Sequence, residues 1–162
     1  MKKFFLRAVA LLLALVLAGC GTASPAETVP TEADKTDDNY RVFYEIFVGS
    51  FADSDGDGTG DLNGILRHLD YLNDGNLLSD TSLGVQGLWL TPIFASPSYH
   101  KYDATDYYRI DSDFGTEDDL RALLDACHAR NVKVILDLVI NHTARNHEWF
   151  QSFCQSHADA NP

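Results

Sequence analysis

Apolar residues recur along this chain in two rhythms. Between Leu62 and Leu72 they fall at Leu62, Ile65, Leu66, Leu69 and Leu72, the three-and-four spacing of an amphipathic helix. Asp61 stands where it can cap that helix, and Asn73-Asp-Gly75 supplies a stop. A second helical pattern opens at Thr116-Glu-Asp-Asp119, a cap with acids in the first turn, and runs to about residue 130. Elsewhere the apolar positions come as β-branched or aromatic runs, at about residues 42–51, 85–91 and 132–140. The last is nearly continuous, as in a parallel strand covered on both faces. Pro92 stops the second run, and a long loop follows to Gly115. The order is β-α-β-α-β, with crossovers long enough for right-handed parallel units. Such a chain begins either a doubly wound sheet or a (β/α) barrel. No Gly-x-Gly-x-x-Gly follows the first strand, which argues against a dinucleotide site.

Between the first strand and the first helix lies Asp53-Ser-Asp-Gly-Asp-Gly-Thr-Gly-Asp61. Carboxylates this close repel one another unless solvated or neutralised by a cation. Hard oxygen ligands on a glycine-rich loop suit Ca²⁺ better than Mg²⁺, which holds to octahedral geometry and keeps its waters. Asp53, Asp55, Asp57, the Thr59 carbonyl and Asp61 are the candidate ligands. The first half of the loop is spaced like an EF-hand, but Gly64 stands where that motif needs its bidentate Glu, and the preceding segment has a strand's composition. The simpler reading is a solvated acidic turn, since Asp and Gly are ordinary turn residues.

The N-terminus changes where this chemistry takes place. Lys2, Lys3 and Arg7 precede an apolar stretch, and Leu17-Ala-Gly-Cys20 follows it. That is a secretory signal, short for a membrane span. Its end resembles a bacterial lipobox, which implies cleavage before Cys20 and lipid on its sulfur. Residues 1–20 are thus expected to be a lipoprotein signal, and residues 21–39, without apolar periodicity, a disordered acidic linker. The expected location is extracytoplasmic, anchored to the cell envelope through Cys20. Cys127 falls on the apolar side of a helical pattern and reads as a buried thiol; a disulfide to Cys154 is permitted by export but not required. The net charge is −12, and losing the three basic residues with the signal takes it to about −15. That argues against nucleic acid and anionic lipid surfaces as partners and suits a neutral substrate.

The third strand carries Asp137 and leads into Asn141-His-Thr143. A charge in a buried strand is costly unless paired, and no partner lies nearby in sequence. Polar residues at the C-terminal end of such a strand are where a barrel enzyme keeps its site. The long loop contains Ser98-Tyr-His-Lys-Tyr-Asp-Ala-Thr-Asp-Tyr-Tyr108. Aromatics mixed with Asp and His suit a sugar, because rings stack on a pyranose face while polar groups bond its hydroxyls. Tyrosines that merely pin the loop to the sheet are the structural counter-reading.

Five motifs in order carry a resemblance over about residues 40–150: Phe43-Tyr-Glu-Ile-Phe-Val, the acidic loop through Ile65, Gly84-Val-Gln-Gly-Leu-Trp-Leu-Thr-Pro-Ile-Phe94, the tyrosine-rich loop, and Asp137-Leu-Val-Ile-Asn-His-Thr143. Together they resemble the start of the α-amylase superfamily of glycoside hydrolases (family 13), in particular bacterial lipoprotein α-amylases related to oligo-1,6-glucosidases and neopullulanases. The resemblance implies an α/β fold: residues 40–162 as the N-terminal part, about three βα units, of a (β/α)8 TIM barrel. It implies retaining hydrolysis of α-glucosidic bonds in an α-glucan or malto-oligosaccharide. By the same resemblance Tyr102 stacks on the sugar at the cleavage point, His142 bonds its hydroxyl, and Asp103 is a structural acid beside Tyr102. Asp137, with Asn141 beside it, supports the site and bonds an arginine of strand four. Gly49 stands where the family has an arginine.

A barrel of this kind takes ~250 residues. A retaining hydrolase needs a nucleophilic carboxylate and an acid/base carboxylate. The family places these after strands four and five, with a further Asp after strand seven. All three are therefore expected beyond Pro162, leaving this chain as an inactive front portion with no catalytic carboxylate. The competing reading is a non-catalytic, calcium-dependent α-glucan-binding lipoprotein. An ABC-type solute-binding lipoprotein fits the lipobox but not the barrel motifs.

Overall fold

The computed structural model describes residues 41–76 and 78–160. The signal segment 1–20, the lipidation site Cys20 and the linker 21–39 lie outside the described residues. Along the chain the elements are β1 (Phe43–Ile46), α1 (Val48–Phe51), α2 (Leu62–Arg67), α3 (Leu69–Leu72), β2 (Gly87–Leu90), β3 (Phe94–Ala95), β4 (Asp106–Ile110), α4 (Glu117–Ala129), β5 (Lys133–Leu136) and α5 (Glu148–Ala160). Strands β1, β2 and β5 form one parallel sheet in that order. Strands β3 and β4 pair antiparallel within the long loop after β2.

The helical stripe is buried as its periodicity requires: Leu62, Ile65, Leu69 and Leu72 are all at most 1 % exposed. They pack with Ile46, Leu88, Leu90, Leu123, Cys127 and Val132 into the core on one face of the sheet. Burial also pushes the Cys127 thiol up to about 11, so it is an inert packing group. Cys127 and Cys154 are both free. Thr116 and Asp119 form a reciprocal capping box at the start of α4, as the sequence signature requires. Asn63 ties α2 to the same acid, donating to Asp119 at 2.8 Å.

The opposite face of the sheet is open. Glu45, Trp89 and Ile135 lie in register across the three strands, and Trp89 and Ile135 are 42 % and 45 % exposed. A Cβ on Gly87 would collide with the Phe43 ring, so the missing side chain lets that aromatic lie across the next strand. Small residues set against large ones are a common way of filling a barrel interior. The architecture is a partial (β/α) barrel, as the motif order predicts.

Several boundaries differ from the sequence reading. The first strand ends at Ile46, not near residue 51, because the chain turns at Phe47, whose carbonyl accepts from Ser50 N at 3.1 Å. The Gly49 carbonyl is then taken by Gly60 of the acidic loop at 2.8 Å. The helix expected over 62–72 breaks at His68, whose N–H is shared between the Gly64 and Ile65 carbonyls; the apolar stripe runs through the break unharmed. The third strand ends at Leu136 and is not covered on both faces. Residues 148–160, to which the sequence reading assigns no element, form α5, none of whose residues is buried.

Candidate functional site

The acidic loop is built by side chains bonding their own backbone. Asp53 accepts from Asp55, Gly56 and Gly58 N–H groups at 3.1, 2.6 and 2.9 Å. Gly56 and Gly58 sit at φ +88° and +94°, a region where a side chain would be strained. This curls the backbone so that its donors face inward. Those bonds, first from Gly56 and then Gly58, hold the Asp53 carboxyl below its ordinary range. Asp61 caps α2 through Gly64 N at 2.6 Å and takes Ser54 N at 2.8 Å.

Oxygens of Asp53, Asp55 and Asp61 lie within 4.8 Å of one another. Asp57 lies outside that cluster, and its carboxylate accepts from Thr59 N at 2.7 Å. Three of the four predicted acids are thus brought together. Their hard oxygen donors, within 4.8 Å of one another on a glycine-rich loop, fit a Ca²⁺ ion, which uses carboxylate and carbonyl oxygens in irregular numbers.

The second cluster lies at the C-terminal end of the sheet. Tyr102 donates its hydroxyl to Asp137 at 3.0 Å. That bond first, then burial, raises the Tyr102 phenol above its ordinary value. Asp137 therefore has the partner its sequence neighbourhood lacked, and it lies just beyond β5, with its N–H on the Leu90 carbonyl at 3.0 Å. Asp103 points into its own loop, where Ser96 donates to it at 2.7 Å and Ser98 also bonds it. Burial pulls its carboxyl upward, but the two serine hydroxyls outweigh this and hold it below the usual range. It is a loop-building acid next to Tyr102. Asn141 and His142 are exposed and bonded to each other at 3.1 Å.

Two residues are not singled out individually by the sequence reading; the first realises the counter-reading, a tyrosine that pins the loop to the sheet. Tyr107 reaches across the sheet end, its single hydroxyl proton shared between the Val139 and His142 carbonyls at 2.6 and 2.9 Å, and stacks on Trp149 with ring centroids 5.9 Å apart. Around it an open cleft of about 700 Å³ is lined by Leu138, Ile140, His142 and Phe150. The other is Lys101, only 4 % exposed, which pairs with Asp111 at 3.0 Å and Asp113 at 2.9 Å. Its ammonium lies 5.3 Å from the centre of the Phe114 ring. Burial opposes its charge, but the hydrogen bonds to Asp113 and Asp111 prevail and raise its pKa. Lone aspartates ten and twelve residues downstream give no periodic signal that would have joined them to it.

Comparison with known proteins places this arrangement. The sequence profile of the alpha amylase catalytic domain matches residues 45–161. Alpha-amylase 3 of Dictyoglomus thermophilum is 51 % identical over 116 residues, covering 72 % of this chain and 22 % of that protein. Oligo-1,6-glucosidase of Heyndrickxia coagulans is 46 % identical over 110 residues, covering 67 % and 18 %. The crystal structure of an alpha-amylase from H. orenii superposes with a TM-score of 0.69 at 56 % identity, covering 75 % of this chain and 24 % of that one. The chain spans about a fifth of the length of the curated relatives it matches.

Proposed function

The chain belongs to the alpha-amylase catalytic-domain family, and from that premise we propose that the full-length protein hydrolyses α-glucosidic bonds in α-glucans or malto-oligosaccharides with retention. The observation that carries the reading is the Tyr102–Asp137 pair at the C-terminal edge of a parallel sheet, where a barrel enzyme builds its site. Tyr102, 38 % exposed, offers a ring to a sugar face, and its hydroxyl is fixed by Asp137 so that the ring does not swing. His142 supplies an exposed polar edge to a sugar hydroxyl. Asn141 orients the imidazole. Retention needs two carboxylates flanking the scissile bond at about 5–5.5 Å separation; in this reading they belong to strands that follow those of the present chain.

Ca²⁺ would be held by Asp53, Asp55 and Asp61, with Asp57 and the Thr59 carbonyl as further oxygen donors. It would supply positive charge to a loop that otherwise repels itself. Lipid on Cys20 would keep the enzyme at the outer face of a bacterial membrane, where external glucans reach it. Replacing Cys20→Ser should move the protein from the membrane to the soluble fraction.

The deciding experiment is reducing-sugar release from soluble starch and malto-oligosaccharides by the full-length protein, with Tyr102→Ala alongside. Turnover in the wild type and a KM raised about tenfold or more in the variant is the expected result. Glucan binding without turnover would replace the hydrolase with the calcium-dependent glucan-binding lipoprotein.

A further inference from the structure

Lys101 and Tyr102 invert the ordinary pattern of burial. The charged residue is 4 % exposed and its aromatic neighbour 38 % exposed, although Lys is among the residues rarely buried unless paired. Lys101 also sits at φ +60°, a left-handed conformation that is strained for a residue with a Cβ. Such a conformation persists only where the surroundings hold it. Here the holding groups are identifiable. The Lys101 N–H closes a turn onto the Ser98 carbonyl at 3.3 Å, and its ammonium is gripped by Asp111 and Asp113 over the Phe114 ring.

Those anchors are themselves fixed. Asp111 also accepts from Ser96 N at 2.9 Å and Asp113 N at 3.1 Å. Phe114 is 1 % exposed, and its carbonyl accepts from Leu62 N at 3.1 Å, at the head of α2. The lysine side chain is therefore tied to the packed part of the fold, while the next residue is turned the opposite way, towards Asp137.

We infer that Lys101 is a positioning residue: its buried pairing with Asp111 and Asp113 locks the left-handed turn that presents the Tyr102 ring to substrate and its hydroxyl to Asp137. The role rests on the reading of Tyr102 as a sugar-stacking residue, but the geometry it controls is measurable without a sugar. Freed of its anchor, residue 101 relaxes toward ordinary φ, the peptide to Tyr102 rotates, and the hydroxyl leaves Asp137.

The test is the titration of Tyr102 by NMR of ring-labelled tyrosine in the full-length protein, with Tyr102→Phe to assign its signal. In Lys101→Met the Tyr102 phenol should titrate at lower pH than in the wild type, moving toward the ordinary tyrosine value, and KM should rise more than kcat falls. Lys101→Arg, which can still pair with both carboxylates, should restore both readouts. If Lys101→Met does not fold, Asp113→Asn removes only the exposed half of the pairing and should move the titration the same way by less. An unchanged Tyr102 titration in a folded Lys101→Met or Asp113→Asn variant overturns the inference. A wild type that turns over no glucan, with the titration still responding to Lys101, removes the proposed activity and leaves the positioning role standing.

Discussion

Two acid-rich loops leave neighbouring strands of one sheet and dispose of their charge in different ways. The loop after β1 clusters Asp53, Asp55 and Asp61 within 4.8 Å and meets them with backbone N–H groups. Apart from Asp61 its acids are exposed. The loop after β2 buries Asp111 and supplies a cation from within, Lys101. Acid content alone therefore does not tell how much external cation a loop needs. Where the chain provides an ammonium, the loop can be packed. In the first loop the carboxylates themselves are met by N–H dipoles, while the nearby Arg67 guanidinium bonds the Ser54 carbonyl rather than an acid, and the proposed ion would neutralise the charge that is left.

Breaking the internal cation should produce the largest effect. Removing one partner of a buried pair leaves an uncompensated charge, which costs about 3–5 kcal/mol. Lys101→Met should therefore lose about that much in urea unfolding of the full-length protein, measured with calcium present. Asp55→Asn, in the exposed loop, should be nearly silent when chelator is present. Equal losses in the two variants would erase the distinction between the loops.

Removing the external cation is the next test. EDTA should lower the melting temperature and excess Ca²⁺ restore it, since an ion bound only by the native state stabilises by about 2.7 kcal/mol at a hundred times its Kd. Lys101→Met should leave the calcium response in place. No calorimetric heat with Ca²⁺ and no chelator effect would leave the first loop a solvated turn.

These contrasts also mark what could be read from sequence. Leu62, Ile65, Leu69 and Leu72 were legible because their spacing is set by the helix itself, and all four are buried. The acidic loop was legible because its ligands are consecutive in the chain. Asp137 could be recognised as needing a partner, but not which one, because Tyr102 is 35 residues away and no local rule joins them. Lys101 was hidden for the same reason, compounded by lysine's ordinary place on surfaces. The strand ends were misjudged where loop contacts override propensity: the run over residues 42–51 has a strand's composition, yet its end, Val48–Phe51, forms α1 and Gly49 is claimed by Gly60. Helix α5 carries Trp149, Phe150, Phe153 and Cys154 at helical spacing, a stripe in the sequence that was passed over, and in the structure all four are exposed.

The pH profile separates the loops further. The folded pKa of Lys101 is raised above 10.5, so its contribution is complete below that value and is lost as pH climbs through the folded pKa. Tyr102 and Tyr107, raised from 10.0, add to the same alkaline limb. Asp111 and Asp103 in the second loop and Asp53 in the first are lowered from 3.8. Their contributions are present above that value and are lost as pH falls through the folded pKa. Melting temperature should thus fall at both extremes. Lys101→Met should flatten the alkaline limb while keeping the part of the acid limb that Asp53 supplies. An alkaline limb unchanged in that variant would show that Lys101 contributes nothing through its charge.

The smallest effect in stability is the sharpest for the first loop, because Asp61 has two duties there. Its Oδ1 caps α2 through Gly64 N and its Oδ2 takes Ser54 N, while the same carboxylate belongs to the proposed ion site. Asn is as good a helix cap as Asp but carries no charge and only one acceptor oxygen. Asp61→Asn should keep the cap and lose one charge-assisted hydrogen bond, that from Ser54 N, about 1.5–3 kcal/mol, in unfolding measured with chelator present. Its calcium affinity should fall at least about tenfold, because one of three clustered charges is gone. A variant that loses the small increment of stability but binds Ca²⁺ as tightly as the wild type would assign Asp61 to the helix alone. The ion, if bound, would then rest on Asp53, Asp55 and the exposed acid that the cluster leaves out, Asp57.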